Sequence, residues 1–390
     1  MRRAAGDRAR EIYDRYARDV SPEDVQRLFT HDTRDAYRFF SRGFNEDAIA
    51  LLPWWKRGPH RLQQVFVAFT LKLPPARRML YLGALVIALV GVIRLFRGFG
   101  SVDVPLGLPF LRVAIAMPVW ADGTFAILAA FLLLNLLVLL EVADRLTLKG
   151  ELEVAREIQL AMLPAGTYRT ADIEISGVTR PANTVGGDFY DVLPMKDGRV
   201  IVTLGDVAGK GSPAALLMAL LLAVLRTLVD EVLDPPLLMS RLNAQICRHS
   251  PASRFITLFY AVYDPSTGRL TYVNAGQNPP LVRRRNGSYE RLTATGVALG
   301  MFEESTYAAV DTFLDPGEML VLYSDGITEA EDPSGHPLEE SGLEAIVATY
   351  SAFSAAEIGT AVLKAVETHA KASRFGDDLT ILILKRYSTA

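Results

Sequence analysis

The sequence predicts an α+β protein carried on a membrane segment. Three observations point there: two uncharged apolar stretches between Met79 and Leu140, an amphipathic segment closed by Pro164, and short apolar strands alternating with amphipathic helices from about Thr170 onward. With 390 residues the chain has room for two or three units. Hydrophobic residues make up 50% of it, with the excess concentrated in the membrane stretch. A formal net charge of −3 argues against a nucleic-acid partner, which needs a strong basic excess. The basic run Arg283, Arg284 and Arg285 adjoins the turn signal Asn286-Gly287 and reads as a solvated hairpin tip. The single cysteine, Cys247, has no intramolecular partner and reads as an inert helical thiol.

Residues 1–78 begin densely charged and lack the apolar core of a secretory leader. Phe29, Tyr37, Phe39 and Phe40 recur at roughly helical intervals and predict a small, mostly helical cytosolic segment to which no chemistry is assigned. Met79 to Ile93 and Thr124 to Leu140 are each uncharged, and a spanning helix needs about 20 mainly apolar residues. Flanking residues therefore complete two spans, about 79–97 and 123–141, within a membrane segment of 79–141. Lys72, Arg77 and Arg78 precede the first and Arg145 and Lys149 follow the last, which places both flanks in the cytoplasm and the protein in the inner membrane; Arg94 and Arg97 run against that bias. Between the spans, Val104 to Ala121 carries Arg112, Pro105, Pro109 and Pro118 and reads as an interfacial or re-entrant piece, with a third span as the alternative. Two buried helices of a soluble domain are the competing reading of the apolar stretches.

Residues 142–165 predict a connecting helix. Leu148, Leu152, Ala155, Ile158 and Met162 share one face, and Pro164 ends the helix. That stripe suits packing against the next domain or pairing with its copy in a homodimer.

Residues 166–390 predict a layered domain. Val200 to Leu204, Phe255 to Tyr263, Leu270 to Asn274, Met319 to Tyr323 and Leu379 to Lys385 read as strands; Ser212 to Val232 and Ala355 to Lys371 read as helices. The stretch "GDVAGKGS" invites a phosphate-binding loop, yet only three residues separate Gly205 from Gly209, and Gly211 rather than Ser or Thr follows Lys210. The other reading concerns Asp206, at the end of an apolar strand. Acidic residues recur at such strand ends: Asp188 and Asp191 in "VGGDFYD", Asp325 in "VLYSDGITE", Asp377 and Asp378 in "RFGDDLTIL". Each Asp-Gly or Gly-Asp pair alone suits a turn. Four such sites in one domain point further, because converging carboxylates repel by roughly 4 kcal/mol per pair at 4 Å in an effective dielectric near 20 and need cations between them. Oxygen donors favour Mg²⁺ or Mn²⁺, and two such ions can drive an in-line displacement at phosphorus. His31, His60, His249, His336 and His369 lie in no catalytic motif.

From about Glu151 to the C-terminus the motif order "AREIQLAMLP", "RPANTVGGDFYDV", "GDVAGKGSPAALLMA", "NAGQNPP", "GVALG", "LVLYSDGITEA" and "GDDLTILIL" resembles the bacterial PPM-type serine/threonine phosphatases of the SpoIIE/RsbU group. The resemblance implies an αββα sandwich with a two-metal centre between the sheets. It implies metal positions at Asp188, Asp206, Asp325 and Asp377 with the Val207 carbonyl, and Asp378 as a nearby supporting acid. Lys210 and Asn278 are implied as substrate or structural contacts. The activity implied is metal-dependent hydrolysis of phosphoserine or phosphothreonine on a cytosolic signalling protein, in the group usually a phosphorylated STAS protein, with regulation entering through the connecting helix. Gln277 stands where many relatives have His, and Ala208 where Ser is common. The alternatives are an adaptor that keeps the fold for binding, and a nucleotide cyclase suggested by "GGDFYD".

Overall fold

In the computed structural model the described residues are 53–96, 99–105, 112–118, 120–229, 231, 234–251, 254–371 and 375–387. The expectations for Phe29, His31, Tyr37, Phe39 and Phe40 lie outside them. The chain divides into two units after Arg145.

The first unit contains helices α1 (Trp54–Lys72) and α2 (Pro75–Phe96), then strands β1 (Phe99–Pro105) and β2 (Arg112–Pro118), and the start of α3 (Trp120–Met162). Leu73 and Pro74 separate α1 from α2, and the Arg78 guanidinium donates to the carbonyls of Thr70, Leu71 and Leu73 at the end of α1. Helix α2 and the 123–162 part of α3 are long and apolar enough to cross a membrane, and only 11% of each apolar window is buried inside the protein. The helix Ser212–Val229 also meets that length and composition but is 39% buried. Between the apolar helices the backbone forms an antiparallel hairpin, Phe99 opposite Pro118 through Pro105 opposite Arg112. This corrects the alternative of a third spanning helix. Pro105 and Pro118 sit at strand ends, where proline is tolerated, and Pro109 lies outside the described residues.

Helix α3 runs unbroken for 43 residues. The apolar stretch near 123–141 and the connecting segment are thus one helix, since a change from apolar to charged residues does not end a helix; Leu163 and Pro164 do.

The second unit is a four-layer sandwich. Its six-stranded sheet has the order β10-β9-β12-β13-β4-β3 and its five-stranded sheet β11-β8-β7-β6-β5. In sequence these are β3 (Tyr168–Arg169), β4 (Ile173–Arg180), β5 (Phe189–Pro194), β6 (Val200–Val207), β7 (Ile256–Tyr263), β8 (Arg269–Ala275), β9 (Leu281–Arg283), β10 (Tyr289–Arg291), β11 (Val310–Phe313), β12 (Met319–Tyr323) and β13 (Leu379–Arg386). Helices α4 (Ser212–Val229) and α5 (Pro235–His249) cover the five-stranded sheet, while α7 (Glu339–Thr349) and α8 (Ala355–Ala370) cover the other. The one-turn helix α6 (Asp325–Thr328) follows β12. Strand alternation builds the layers: Leu382 and Leu384 of β13 join the core between the sheets, while Leu379, Ile381 and Ile383 join the core beneath α8. Ser354 and Glu357 form a capping box that starts α8, and Lys371 closes it at φ 47°. Cys247 lies half-buried on α5, its thiol pushed up chiefly by burial. Arg284, read as part of a solvated tip, is instead ion-paired with Glu290 and with buried Glu318.

Candidate metal centre

Two pairs of neighbouring strands bring the acidic residues to one end of the sandwich. Asp188 immediately precedes β5, whose Phe189 lies opposite Gly205, and Asp206 lies at the end of β6 opposite Thr257. From the other sheet, β12 and β13 are paired neighbours; Asp325 follows the end of β12, and Asp377 and Asp378 precede the start of β13. The acids therefore arrive from both sheets of the sandwich.

Close backbone approach requires several of the adjoining glycines. A Cβ on Gly187 would sit 2.9 Å from the Val207 carbonyl oxygen and 3.0 Å from Asp206 Oδ1, and one on Gly326 would sit 2.1 Å from the Asp378 carbonyl oxygen. In the loop after β6, Gly209 and Gly211 have φ of 110° and 77°, so these glycines shape a turn directly after Asp206 and Val207.

The electrostatics are those of crowded carboxylates. Asp188 is 4% exposed, and its Oδ2 has no hydrogen-bond partner. Burial, then the charges of Asp206 and Asp378, push its carboxyl well above the usual range, with the hydroxyls of Ser324 and Thr380 acting the other way. Burial, then Asp325 and Asp377, push Asp206 up to about 6. Asp325 is raised by burial and by Asp377. Asp377 is half exposed and pairs with Lys210, Nζ to Oδ2 at 3.0 Å. Among the described residues no group of three or more His, Cys, Asp or Glu side chains is gathered closely enough to hold an ion as it stands. The Lys210 ammonium already engages Asp377.

Asp378 has a different task from its neighbours. Its carboxylate accepts from the backbone N–H groups of Ala182 and Gly187 at 2.7 Å each, anchoring the 182–188 loop that carries Asp188. Asn278 is half-buried. Gln277 ties the two sheets together at this end, accepting from Thr257 Oγ1 at 2.6 Å and donating to the Tyr323 carbonyl at 3.3 Å. Three contributors escaped the sequence reading. Gln159, 6% exposed near the end of α3, donates to the Gly186 carbonyl at 2.7 Å and accepts from its N–H at 3.1 Å. Arg226 on α4 holds buried Asp191 at 2.7 Å and the Met162 carbonyl at 2.6 Å. Arg254 donates to the Ala208 carbonyl at 2.6 Å and steadies the loop after Asp206. A polar residue at a core position of an amphipathic stripe was the available signal for Gln159. Beside Asp377 opens a cavity of about 420 Å³, lined by Gly326, Glu329, Glu331, Phe375 and Gly376.

Comparison with known proteins decides the family. The model of the family Stage II sporulation protein E (SpoIIE) matches residues 196–387. The phosphoserine phosphatase RsbU of Bacillus subtilis is 30% identical over 242 residues, which cover 61% of this chain and 71% of RsbU. The chain belongs to the SpoIIE/RsbU family of PP2C-type phosphatases. Protein IcfG of Synechocystis, another relative, is 32% identical over 264 residues, 60% of this chain and 41% of IcfG. The solved SiaA PP2C domain of Pseudomonas aeruginosa matches at TM-score 0.55 and 21% identity, over 63% of this chain and 99% of that domain, a likeness of fold. Family membership makes the SpoIIE-type unit a serine/threonine protein phosphatase.

Proposed function

We propose that the chain is a membrane-anchored, divalent-metal-dependent phosphatase that hydrolyses phosphoserine or phosphothreonine on a cytosolic signalling protein. The observation that carries the metal requirement is the buried, unpartnered Oδ2 of Asp188 among carboxylates whose ionisation is suppressed. Cations would restore all of them to carboxylates, and the all-oxygen donor set suits Mn²⁺ or Mg²⁺. Asp188, Asp206, Asp325 and Asp377, with the Val207 carbonyl, are the groups that would hold two such ions. Bound there, the ions would supply a water acidified for attack near neutral pH and positive charge against the phosphoryl oxygens. The protein's own part is positional: Asp378 holds the Asp188 loop by its amides, and Gly187 and Gly326 let backbone and carboxylates meet. Among the described residues no histidine is hydrogen-bonded to the cluster; His60 meets Gln64, and His369 meets the His336 carbonyl.

In this proposal residues 79–141 anchor the chain in the inner membrane, 142–165 connect, and 166–390 form the catalytic domain facing the cytoplasm. The apolar windows near 75–96 and 123–162 support the anchor. The name of RsbU supports a phosphoserine substrate. A STAS-domain phosphoprotein is the substrate class we favour, from the group the motifs resemble. Exposed Leu148 and Ile158 on the connecting stripe support pairing of two copies through this helix.

The test is Mn²⁺- or Mg²⁺-dependent phosphate release from a phosphoserine protein by the full chain, beside Asp206→Asn. Metal-dependent turnover that drops by orders of magnitude in Asp206→Asn is expected. Turnover that survives thorough chelation, or that Asp206→Asn retains, overturns the metal-centred mechanism. A folded chain that releases no phosphate with either ion would favour an adaptor that uses the fold for binding.

A further inference from the structure

The segment before the first apolar helix is unlike the rest of the chain in charge. From residue 48 to residue 102 there is no Asp or Glu, while Lys56, Arg57, Arg61, Lys72, Arg77 and Arg78 all fall within it. Helix α1 lies in the first half of this acid-free stretch. Trp55, Leu62, Phe66 and Phe69 recur at steps of seven, four and three, which align them along one face of α1.

The two ends of that stripe differ. At its C-terminal end Phe69 and Phe66 meet Tyr81 of α2, with ring centroids 5.4 and 6.1 Å apart. At its N-terminal end the stripe runs past α2: Leu62 is 72% and Trp55 59% exposed. Helix α2, which follows, also carries exposed apolar residues, among them Val86 and Leu89. Basic residues flank it; Lys56 and Arg61 are exposed, and the Lys56 ammonium lies 4.8 Å from the centre of the Trp55 ring. An apolar stripe with an aromatic at its tip, basic flanks and no acid is the chemistry of a helix lying in the interface of an anionic bilayer.

We propose that α1 is an interfacial helix whose Trp55–Leu62–Phe66 stripe enters the headgroup region of the bilayer while Lys56, Arg57 and Arg61 engage anionic lipid. This rests on the membrane anchoring proposed above and assigns a binding surface to a segment with no other chemistry. Two residues separate α1 from α2, and the Arg78 guanidinium, bonded to the carbonyls of Thr70, Leu71 and Leu73, holds the corner between them.

The test uses the full chain with Trp54→Phe and Trp120→Phe, which leaves Trp55 as the sole tryptophan, since the chain has three. It is reconstituted into phosphatidylcholine vesicles with and without phosphatidylglycerol, with acyl chains brominated near the headgroup. Quenching of Trp55 that deepens with phosphatidylglycerol is expected, and Lys56→Glu/Arg57→Glu/Arg61→Glu should abolish the phosphatidylglycerol dependence while the protein still floats with the vesicles. Protein that floats with Trp55 unquenched and open to aqueous iodide overturns the interfacial helix and leaves the anchor standing. Trp55 shielded from iodide yet unquenched by brominated chains assigns the stripe to a protein surface and equally overturns it. Equal quenching in both lipid mixtures overturns the anionic preference. Failure to float at all removes the anchor, and this inference with it.

Discussion

Gln159 and Gly186 form a two-point amide pair: the side chain near the end of α3 donates to the glycine carbonyl at 2.7 Å and accepts from the glycine N–H at 3.1 Å. Gly186 lies two residues before Asp188, so the end of the connecting helix holds the backbone that aims a candidate metal ligand. Gln159→Ala leaves a buried N–H and C=O unpaired, at about 1–3 kcal/mol. Amide hydrogen exchange over residues 182–188 should quicken by roughly tenfold or more, since about 1.4 kcal/mol is tenfold. Unchanged exchange there would mean that Asp378 alone holds the loop.

Arg226 neutralises Asp191, whose side chain is 2% exposed, and also takes the Met162 carbonyl at the end of α3. Removing one partner of such a pair leaves an uncompensated buried charge. Because Arg226 is itself partly open to solvent, Arg226→Ala should cost about 3 kcal/mol, the lower end for a buried pair. Denaturation followed by far-ultraviolet circular dichroism should show the loss, and Asp191→Asn in the same background should recover part of it. No recovery would locate the loss at the Met162 carbonyl.

Asp206 carries a sign that can be read in a pH series. Its folded pKa, about 6, lies above the unfolded carboxylate value, so between about 4 and 6 the folded state binds more protons than the unfolded state. Its contribution to stability is therefore present at low pH and lost as pH rises through that window. Paired acids such as Glu174 and Glu318, whose values are lowered despite burial by the hydrogen bonds they accept, slope the other way. The difference between parent and Asp206→Asn isolates the effect. In metal-free buffer Asp206→Asn should gain Tm relative to the parent as pH rises from 4 to 7, and Mn²⁺ should raise the Tm of the parent far more than that of the variant. A difference in Tm independent of pH would remove the carboxylate crowding.

Lys210 Nζ lies 3.0 Å from Asp377 Oδ2, so in the proposed metal centre it would compete with a divalent cation for that carboxylate. Both side chains of the pair are about half exposed, so its own worth is at most about 1 kcal/mol. Lys210→Met should leave Tm nearly unchanged while lowering the Mn²⁺ concentration needed for half-maximal phosphate release. A higher metal requirement in this variant would assign Lys210 to the active arrangement rather than to competition with the metal.

The strands and acids of the catalytic unit were legible because their signals are local: apolar runs such as Val200–Leu204 and Met319–Tyr323, each followed within two residues by an Asp beside a Gly. The hairpin at 99–118 was missed although Val102, Val104, Val113 and Ile115 alternate, because Pro105, Pro109 and Pro118 drew the reading toward an irregular membrane piece. The junction between the second span and the connecting helix carries no break. Asp144, Arg145 and Lys149 end an apolar run, but they are compatible with a helix, and Arg145 and Lys149 each reach an acid four residues away.

By itself the sequence determined the period of each element, the apolar windows and the residue types that can hold a hard cation, since these depend on near neighbours in the chain. Only the tertiary structure decided which acids meet and which one turns away. Asp188 comes from one sheet and Asp325 from the other, and Asp378 spends its carboxylate on the amides of Ala182 and Gly187. Burial and charge crowding depend on distances across the sandwich, so the raised carboxyls of Asp188 and Asp206 exist only once β5 and β6 of one sheet face β12 and β13 of the other.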